Sequence, residues 1–306
     1  MVKQPNSRAN LDKAIQRLTD GDRDAYIAIR AVIANAIVGQ MLPEGAVKGG
    51  SAIKLRLGNA GTRFTTDLDV ARASGLDKYR DALEEALARG WNGFSGRLVP
   101  GRPARPRDVP PQYVMSPFGI KLSYNGKPWL TVELEVGHDE IGDADEPDWG
   151  ISPDIVEIFS KVGLPEPKPV PLMPLHHQAA QKIHALSEPG SRRAHDLIDL
   201  QLIDATGELD YGRTLQTCRR LFAYRKRQPW PSPIVPGEGW REAYDEQRRG
   251  LDVIEDVDEA AKWANVLVGR ISGADAIANA VAMFTDDFME GTDDLPLQER
   301  EINGEE

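Results

Sequence analysis

The sequence predicts an α+β domain followed by an all-helical domain. An acidic strand and a β-hairpin mark the first half, whereas apolar residues at helical spacing fill most of the second half. The composition changes at the proline-rich stretch 165–174, where we expect a domain boundary. We therefore expect a core domain over residues 1–165, a helical domain over 166–285 and an acidic, flexible tail over 286–306.

The first half combines helices with short strands. Through the first forty residues, apolar side chains recur every three or four positions, which indicates amphipathic helices. Residues 66–71 alternate acidic and apolar side chains, as in a strand with one functional face. Helical character is also expected at 52–57 and at 76–89, a segment rich in Leu, Ala and Glu.

A hairpin is predicted around Asn125-Gly126, a dipeptide favoured in two-residue turns. Its strands are expected at 113–124 and 129–136, and the Pro-, Gly- and Arg-rich segment 96–111 before them is expected to be a loop or a hairpin arm. Residues 139–154 are acidic and are expected to be irregular. Apolar spacing in the second half predicts five helices, at 175–187, 194–205, 211–224, 240–250 and 257–271.

The overall composition excludes several classes of protein. A hydrophobic content of 41% and a charged content of 28% are those of a globular chain and not of a disordered one. No apolar run approaches the ~20 residues of a membrane span, and the polar first ten residues do not resemble a signal peptide. Cys218 is the only cysteine, which excludes an intrachain disulfide and a cysteine-rich zinc site. These features predict a cytoplasmic protein with no membrane partner.

The net charge of −11 is unevenly distributed. The tail 286–306 holds nine acidic residues and one basic residue, whereas residues 86–132 hold seven basic residues and one acidic residue. A second basic cluster consists of Arg219, Arg220, Arg225, Lys226 and Arg227. Such stretches can bind the phosphates of a nucleic acid, and they also occur as ordinary solubilising surface.

Asp67 and Asp69 are the first candidates for chemistry. Residues two apart on a strand project from the same face, so both carboxylates point to one side. Two carboxylates held together repel each other unless a cation lies between them, and Mg²⁺ prefers such oxygen ligands. The pair therefore predicts a metal site, although an isolated Asp-x-Asp also fits a solvated strand edge.

Gly49, Gly50 and Ser51 form a turn between an apolar run and a helical pattern. Glycines allow close approach of a ligand to the backbone, and the N-terminus of a helix favours phosphate. Ser51 could cap that helix or donate to a phosphate oxygen. A P-loop is excluded, because Ser51-Ala52 follows Gly50 where that motif requires Lys and then Ser or Thr.

A third acid is predicted on the strand at 129–136. Glu133 and Glu135 alternate with apolar residues and therefore share one face of the strand. Of these two glutamates, we prefer Glu135 for the site. This order of a phosphate turn, an acidic strand and a third acid is similar to the layout of the polymerase-beta-like nucleotidyltransferase core. A solvated polar face is the alternative.

The helical half contributes Lys182, which lies in an otherwise apolar helix and therefore either extends its ammonium to the surface or faces a cleft. Asp196 and Asp199 are three residues apart and share a helical face. The alternative is a helix with ordinary surface charges.

Taken in order, these motifs resemble the AbiEii/AbiGii nucleotidyltransferase toxin family, which includes the mycobacterial MenT-type toxins. The resemblance rests on Lys48–Arg56, on Arg63–Asp69, on Lys182 and on the segment Arg193–Leu200, and so spans about half of the chain. It implies a polymerase-beta-like core, a C-terminal helical lobe and a substrate site between them.

The resemblance also implies roles for individual residues. Gly49, Gly50 and Ser51 would hold a nucleoside triphosphate, with Arg63 positioning the turn or a phosphate. Asp67 and Asp69 would ligate Mg²⁺ or Mn²⁺, with Glu135 as the third acid. Lys182 would contact the β- or γ-phosphate, and Asp196 or Asp199 would complete the site. The metal geometry is open at Glu135, since an aspartate is commoner there in the wider superfamily.

The activity that the resemblance implies is transfer of a nucleotide to RNA, in particular to the 3′ acceptor end of tRNA, by the toxin of a toxin–antitoxin or phage-defence system. A cognate antitoxin encoded nearby would be the protein partner. Two alternatives remain open: transfer to a hydroxyl of a protein or small molecule, and nucleotide binding without catalysis.

Overall fold

The computed structural model describes residues 3–102 and 114–274, so the predicted tail 286–306 lies outside the described residues. Within these ranges the chain forms ten helices and seven strands. In chain order they are α1 Arg8–Leu18, α2 Arg23–Gly39, β1 Ala46–Lys48, α3 Gly49–Leu57, β2 Leu68–Arg72, α4 Leu76–Arg89, β3 Phe94–Pro100, β4 Ser116–Tyr124, β5 Lys127–His138, β6 Asp148–Gly150, α5 Pro153–Val162, β7 Val170–Leu172, α6 Leu175–Ser187, α7 His195–Ala205, α8 Tyr211–Arg225, α9 Trp240–Gln247 and α10 Val257–Ser272.

The strands form one mixed sheet in the order β3-β4-β5-β2-β1-β7-β6. Strand β2 pairs with β5 in parallel and with β1 in antiparallel orientation, and β1 pairs in parallel with β7. Helices follow the last strand, so the predicted α+β class is confirmed. The central position of β2 places the acidic segment in the middle of the sheet.

The predicted hairpin is confirmed. Strands β4 and β5 are antiparallel, and Asn125 and Gly126 have φ values of 47° and 72°, as a tight two-residue turn requires. Of the two alternatives for 96–111, a loop or a hairpin arm, the hairpin arm is confirmed for the first part, because Phe94–Pro100 is a strand that pairs along its length with β4. It lies at the edge of the sheet, where proline and glycine are tolerated.

Two elements depart from the sequence predictions. Helix α5 begins at Pro153, within the segment 139–154 that was expected to be irregular. Ser152 caps it by accepting from the Asp154 backbone N–H, and Gly163 ends it with a φ of 78°. Strand β7 lies within the proline-rich stretch expected to separate two domains, and it pairs there with β1.

Two hydrophobic cores surround helix α3. One lies between the sheet and helices α1, α2, α4 and α5, and the other is formed by α6 to α10. Leu55 of α3 packs in the first core and Ile53 in the second. The turn that begins α3 therefore lies at the junction of the two cores. Within the described ranges, no helix has both the length and the apolar composition needed to cross a bilayer.

Candidate active site

Three charged side chains form a row across the centre of the sheet. In the strand register Lys48 of β1 is opposite Asp69 of β2, and Asp69 is beside Glu135 of β5. Direct neighbours in a sheet point to the same face, so the three side chains project together. All three line a cavity of about 650 Å³, whose opposite wall comes from helices α6 and α8.

Asp67 stands just before β2 and is exposed, whereas Asp69 is half-buried. Burial raises the pKa of the Asp69 carboxyl; the ammonium of Lys48 opposes this rise and the carboxylate of Asp67 adds to it. Burial also raises the pKa of Glu135, with further contributions from Asp69 and Asp67. The carboxylates of Asp67, Asp69 and Glu135 are therefore close enough for electrostatic repulsion between them to matter.

The glycine turn fits closely against these acids. Gly49 has a φ of 67°, in the left-handed region that favours glycine, and a Cβ there would collide with Oδ2 of Asp69. A Cβ on Gly50 would lie 2.7 Å from Nη2 of Arg63. The turn therefore brings the first N–H groups of α3 next to the Asp69 carboxylate.

Ser51 is buried, with 2% of its surface exposed. Its hydroxyl donates to the backbone oxygen of Asp67 and accepts from Nδ2 of Asn35 at 3.2 Å. The side chain thus ties α3 to the start of β2. For a phosphate, this turn offers the backbone N–H groups of the first turn of α3, which have no partners within the helix.

The predicted residues of the helical half form a buried ion cluster. Nζ of Lys182 lies 2.9 Å from Oδ1 of Asp196 and 2.6 Å from Oδ2 of Asp199. Asp199 also accepts two hydrogen bonds of 2.9 Å from Arg63, and Asp196 accepts from Arg193. The cluster joins α6 and α7 to the loop that leads into β2.

Burial and charge act in opposite directions on the two acids of this cluster, which expose at most 1% of their surface. Burial alone would raise both carboxyl pKa values. The ammonium of Lys182 with the guanidinium of Arg193 nevertheless holds the pKa of Asp196 below its ordinary value, and Lys182 with Arg63 does the same for Asp199. Both acids therefore remain ionised and bind these cations tightly.

The C-terminal part of the second basic cluster lies at the rim of the same cavity, whereas Arg220 lines a separate depression. Arg225, Lys226 and Arg227 line the cavity together with Tyr224. Arg225 is paired with Glu140, and Nε of Arg227 lies 2.9 Å from Oε1 of Glu188. The cavity therefore ends in a mixed, predominantly basic surface that carries one aromatic ring.

The first basic stretch lies elsewhere. Arg97 of β3 and Lys121 of β4 are direct neighbours and line a separate depression of about 520 Å³, together with Trp129. Arg105 and Arg107 lie outside the described residues. The basic residues of this stretch that the structure describes are not among those lining the cavity at the acidic row.

Lys48 and Arg193 lie within the sequence motifs, but the motifs assign neither of them a role at the site. Both line the cavity, as does Asp196, and Asp199 contacts the lining residue Lys182. The position of Lys48 immediately before Gly49-Gly50 was a usable indication, because a residue at the end of β1 must lie beside the acidic strand. Arg193 becomes recognisable only through its contact with Asp196.

Divalent metal ions suit the acids by the chemistry of their ligands. Carboxylate oxygens are the donors that Mg²⁺ prefers, and a cation would compensate the repulsion among the neighbouring carboxylates, which adds to the rise that burial causes in the pKa values of Asp69 and Glu135. In the described part of the chain, no three His, Cys, Asp or Glu side chains converge into a complete metal site. Asp67 and Asp69, with Glu135 as the third acid, would thus hold a metal together with further ligands such as water or substrate phosphates.

Comparisons with solved structures give several matches of low sequence identity. The nucleotidyltransferase toxin MenT4 of Mycobacterium tuberculosis is 17% identical, with a TM-score of 0.49 over 86% of this chain and 98% of its own. The JHP933 protein of Helicobacter pylori is 15% identical, with a TM-score of 0.41 over 83% of this chain and 95% of its own. An antigenic nucleotidyltransferase-like protein of Paracoccidioides brasiliensis is 16% identical, with a TM-score of 0.37 over 67% of this chain and 96% of its own. The search of curated proteins gives no match.

The family comparison is decisive. Residues 33–287 match the family described as the nucleotidyl transferase AbiEii toxin of type IV toxin–antitoxin systems. This range includes the glycine turn, the acidic row, the ion cluster and the basic rim, and it covers most of the chain. The resemblance found in the sequence motifs is therefore confirmed, and the chain belongs to the AbiEii family of nucleotidyltransferase toxins.

Proposed function

We propose that this nucleotidyltransferase uses Mg²⁺ or Mn²⁺ to transfer a nucleotide from a nucleoside triphosphate to the 3′ end of an RNA, and that its acceptor is tRNA. The observation that carries the proposal is the row of Lys48, Asp69 and Glu135, which opens into one cavity beside the Gly49-Gly50 turn. Acids that can hold a metal and a turn that can hold phosphates are adjacent, as nucleotidyl transfer requires.

In the proposed reaction the 3′-oxygen of the acceptor forms a bond to the α-phosphorus, and the bond from that phosphorus to the β-phosphate oxygen breaks. Pyrophosphate leaves. Asp67 and Asp69 would hold the metal, which supplies charge stabilisation for the phosphoryl group. Glu135 would take the proton of the attacking hydroxyl, and its raised pKa makes this carboxylate a better base than an ordinary glutamate.

The ion cluster would hold the triphosphate side of the site in place. Its three cations and two carboxylates leave one net positive charge beside the acidic row. Lys182 reaches the cavity wall and is the member proposed to face the β- or γ-phosphate. Asp196 and Asp199 would act through it by fixing its ammonium, which makes them positioning residues.

The basic rim favours a nucleic acid as the acceptor. Tyr224 stands among Arg225, Lys226 and Arg227 at one end of the cavity. Aromatic rings interleaved with cations suit single-stranded ends, where bases stack on the ring and phosphates bind the cations. As a member of a type IV toxin family, the protein would also have an antitoxin partner.

The test is incubation with total RNA, Mg²⁺ and each of the four nucleoside triphosphates labelled at the α-phosphate. We expect label on small RNA with at least one nucleotide, and none after chelation of the metal. Asp69→Asn should abolish the labelling, whereas Asp81→Asn, at an exposed position on α4, should retain it. Label on protein or on a small molecule would favour the alternative acceptors, and no label in any fraction would contradict transfer.

A further inference from the structure

We propose that Lys48 is a further substrate-binding residue, whose ammonium contacts the α-phosphate under attack. The inference rests on the proposed function and assigns a second cation to it. Lys182, the lysine that the motifs indicate, faces the phosphates from the helical side. Lys48 would face them from the sheet, beside the carboxylates.

The first observation is its place in the row. Lys48 is the strand neighbour of Asp69 on the side opposite Glu135, and all three line the cavity. Of the nearby charges, that of Lys48 has the largest effect on the Asp69 carboxyl. An ammonium at this position lies next to the metal-binding acid and the proposed base, where the reacting phosphate must lie.

The second observation is that its ammonium is uncommitted. Across residues 3–102 and 114–274, no ion pair or hydrogen bond involves Nζ of Lys48. Lys182, by contrast, contacts the carboxylates of both Asp196 and Asp199. A lysine whose ammonium has no protein partner keeps its full charge for a ligand, whereas much of the charge of Lys182 is already balanced.

The third observation concerns the space that Lys48 occupies. A Cβ on Gly137 of β5 would lie 2.9 Å from Nζ of Lys48 and 2.7 Å from Sδ of Met115. The absence of a side chain at Gly137 thus leaves room for the ammonium of Lys48, which extends from β1 over the face of the sheet towards β5. Both neighbouring atoms are ends of flexible side chains, so a methyl group at Gly137 would displace the ammonium at little cost to the fold.

The competing explanation is that Lys48 only balances the charge of Asp69 and Glu135. In that case its removal would raise carboxylate repulsion and lower stability, and Gly137→Ala, which keeps the charge near the acids but moves the ammonium, would bind phosphate as tightly as the wild type. The two explanations differ in what the lysine binds. Direct measurement of phosphate binding therefore separates them.

The experiment is calorimetric titration of Mg²⁺-loaded protein with inorganic tripolyphosphate and with ATP, CTP, GTP and UTP. Lys48→Met should weaken tripolyphosphate binding by at least tenfold, and Lys48→Arg should restore much of it. Gly137→Ala, which keeps the charge but moves it, should fall between Lys48→Met and the wild type. The matched control Lys78→Met removes an exposed lysine of α4 and should stay within twofold of the wild type.

Tripolyphosphate affinity within twofold of the wild type in Lys48→Met, with an unchanged urea midpoint, would overturn the inference. The same affinity with a lowered midpoint would overturn it in favour of the charge-balancing role. The proposed function fails separately: it falls if the wild type itself binds no triphosphate and labels no RNA. A wild type that binds and labels, beside an unaffected Lys48→Met, refutes the role of Lys48 alone.

Discussion

Replacing Lys182 with methionine tests whether the buried ion cluster holds the helical half against the sheet. Methionine keeps most of the volume of the side chain and removes its charge. Asp196 and Asp199 are at most 1% exposed and would each lose a partner at 2.9 and 2.6 Å. Breaking a buried pair in this way costs about 3–5 kcal/mol, because a charge is left without compensation.

The structure places the expected loss at the lower end of that range. Arg193 still contacts Asp196, and Arg63 still holds Asp199 through two hydrogen bonds, so neither carboxylate is left alone. We expect a loss of about 3 kcal/mol in the free energy of unfolding. In urea titrations followed by circular dichroism, this corresponds to a midpoint lowered by about 1 M.

Lys262→Met is the matched control. Lys262 of α10 lies 2.7 Å from Glu259, a distance similar to those in the cluster, but both side chains are more than half exposed. Exposed pairs contribute about 0.2–1 kcal/mol, so the control should hardly move the midpoint. Equal shifts in the two variants would refute the idea that burial makes the Lys182 pairs strong.

Three further outcomes follow from the site. Gly49→Ala should lose nucleotide transfer in the labelling assay, although its helix content should stay near that of the wild type. The added methyl group would collide with Asp69, and the φ of 67° at this position disfavours alanine. Full activity of the variant would contradict this expectation. Glu135→Gln should lower the transfer rate at least a hundredfold. Glu133 lies on the same strand face but does not line the cavity, so Glu133→Gln should change the rate less than threefold. Equal effects of the two substitutions would refute the choice of Glu135. Asp143 is buried, and burial together with the hydrogen bond that its protonated carboxyl donates to Asp139 raises its pKa to about 7, so it contributes stability at low pH that is lost as the pH rises towards 7. The stability of the wild type relative to Asp143→Asn should therefore fall by about 3 kcal/mol between pH 5 and pH 8 in urea titrations, and a constant difference would contradict the raised pKa.

Local patterns were sufficient for most of the helices. Apolar spacing placed α6 at its observed bounds and the four later helices within a few residues, because each buries one face in the second core. Strand β3 was left undecided between a loop and a hairpin arm, since glycine and proline obscure the strand pattern locally and only its pairing with β4 decides between them. Helix α5 was missed despite a usable pattern: Ser152 as cap, Pro153 in the first turn and Gly163 at the end.

The site was predictable to the extent that its residues occur in short motifs. The glycine turn and the place of Asp69 on a strand follow from local patterns, whereas Asp67, expected on the same strand, lies just before β2. The partners of Lys182 do not follow from local patterns, because α6 and α7 must first pack together before Asp196 and Asp199 reach its ammonium. From the sequence, the Ser51 hydroxyl was expected to donate to a phosphate oxygen of the ligand. In the fold that hydroxyl forms hydrogen bonds with the backbone oxygen of Asp67 and the side chain of Asn35.

The place of β7 has a consequence for any attempt to divide the chain. This strand comes after the proline-rich segment begins, yet it lies between β1 and β6 in the sheet. A fragment ending at residue 165 would leave β1 with an unpaired edge beside the glycine turn, and bare edges recruit other chains. Separate expression of the first 165 residues should therefore yield aggregates and not a soluble nucleotide-binding core.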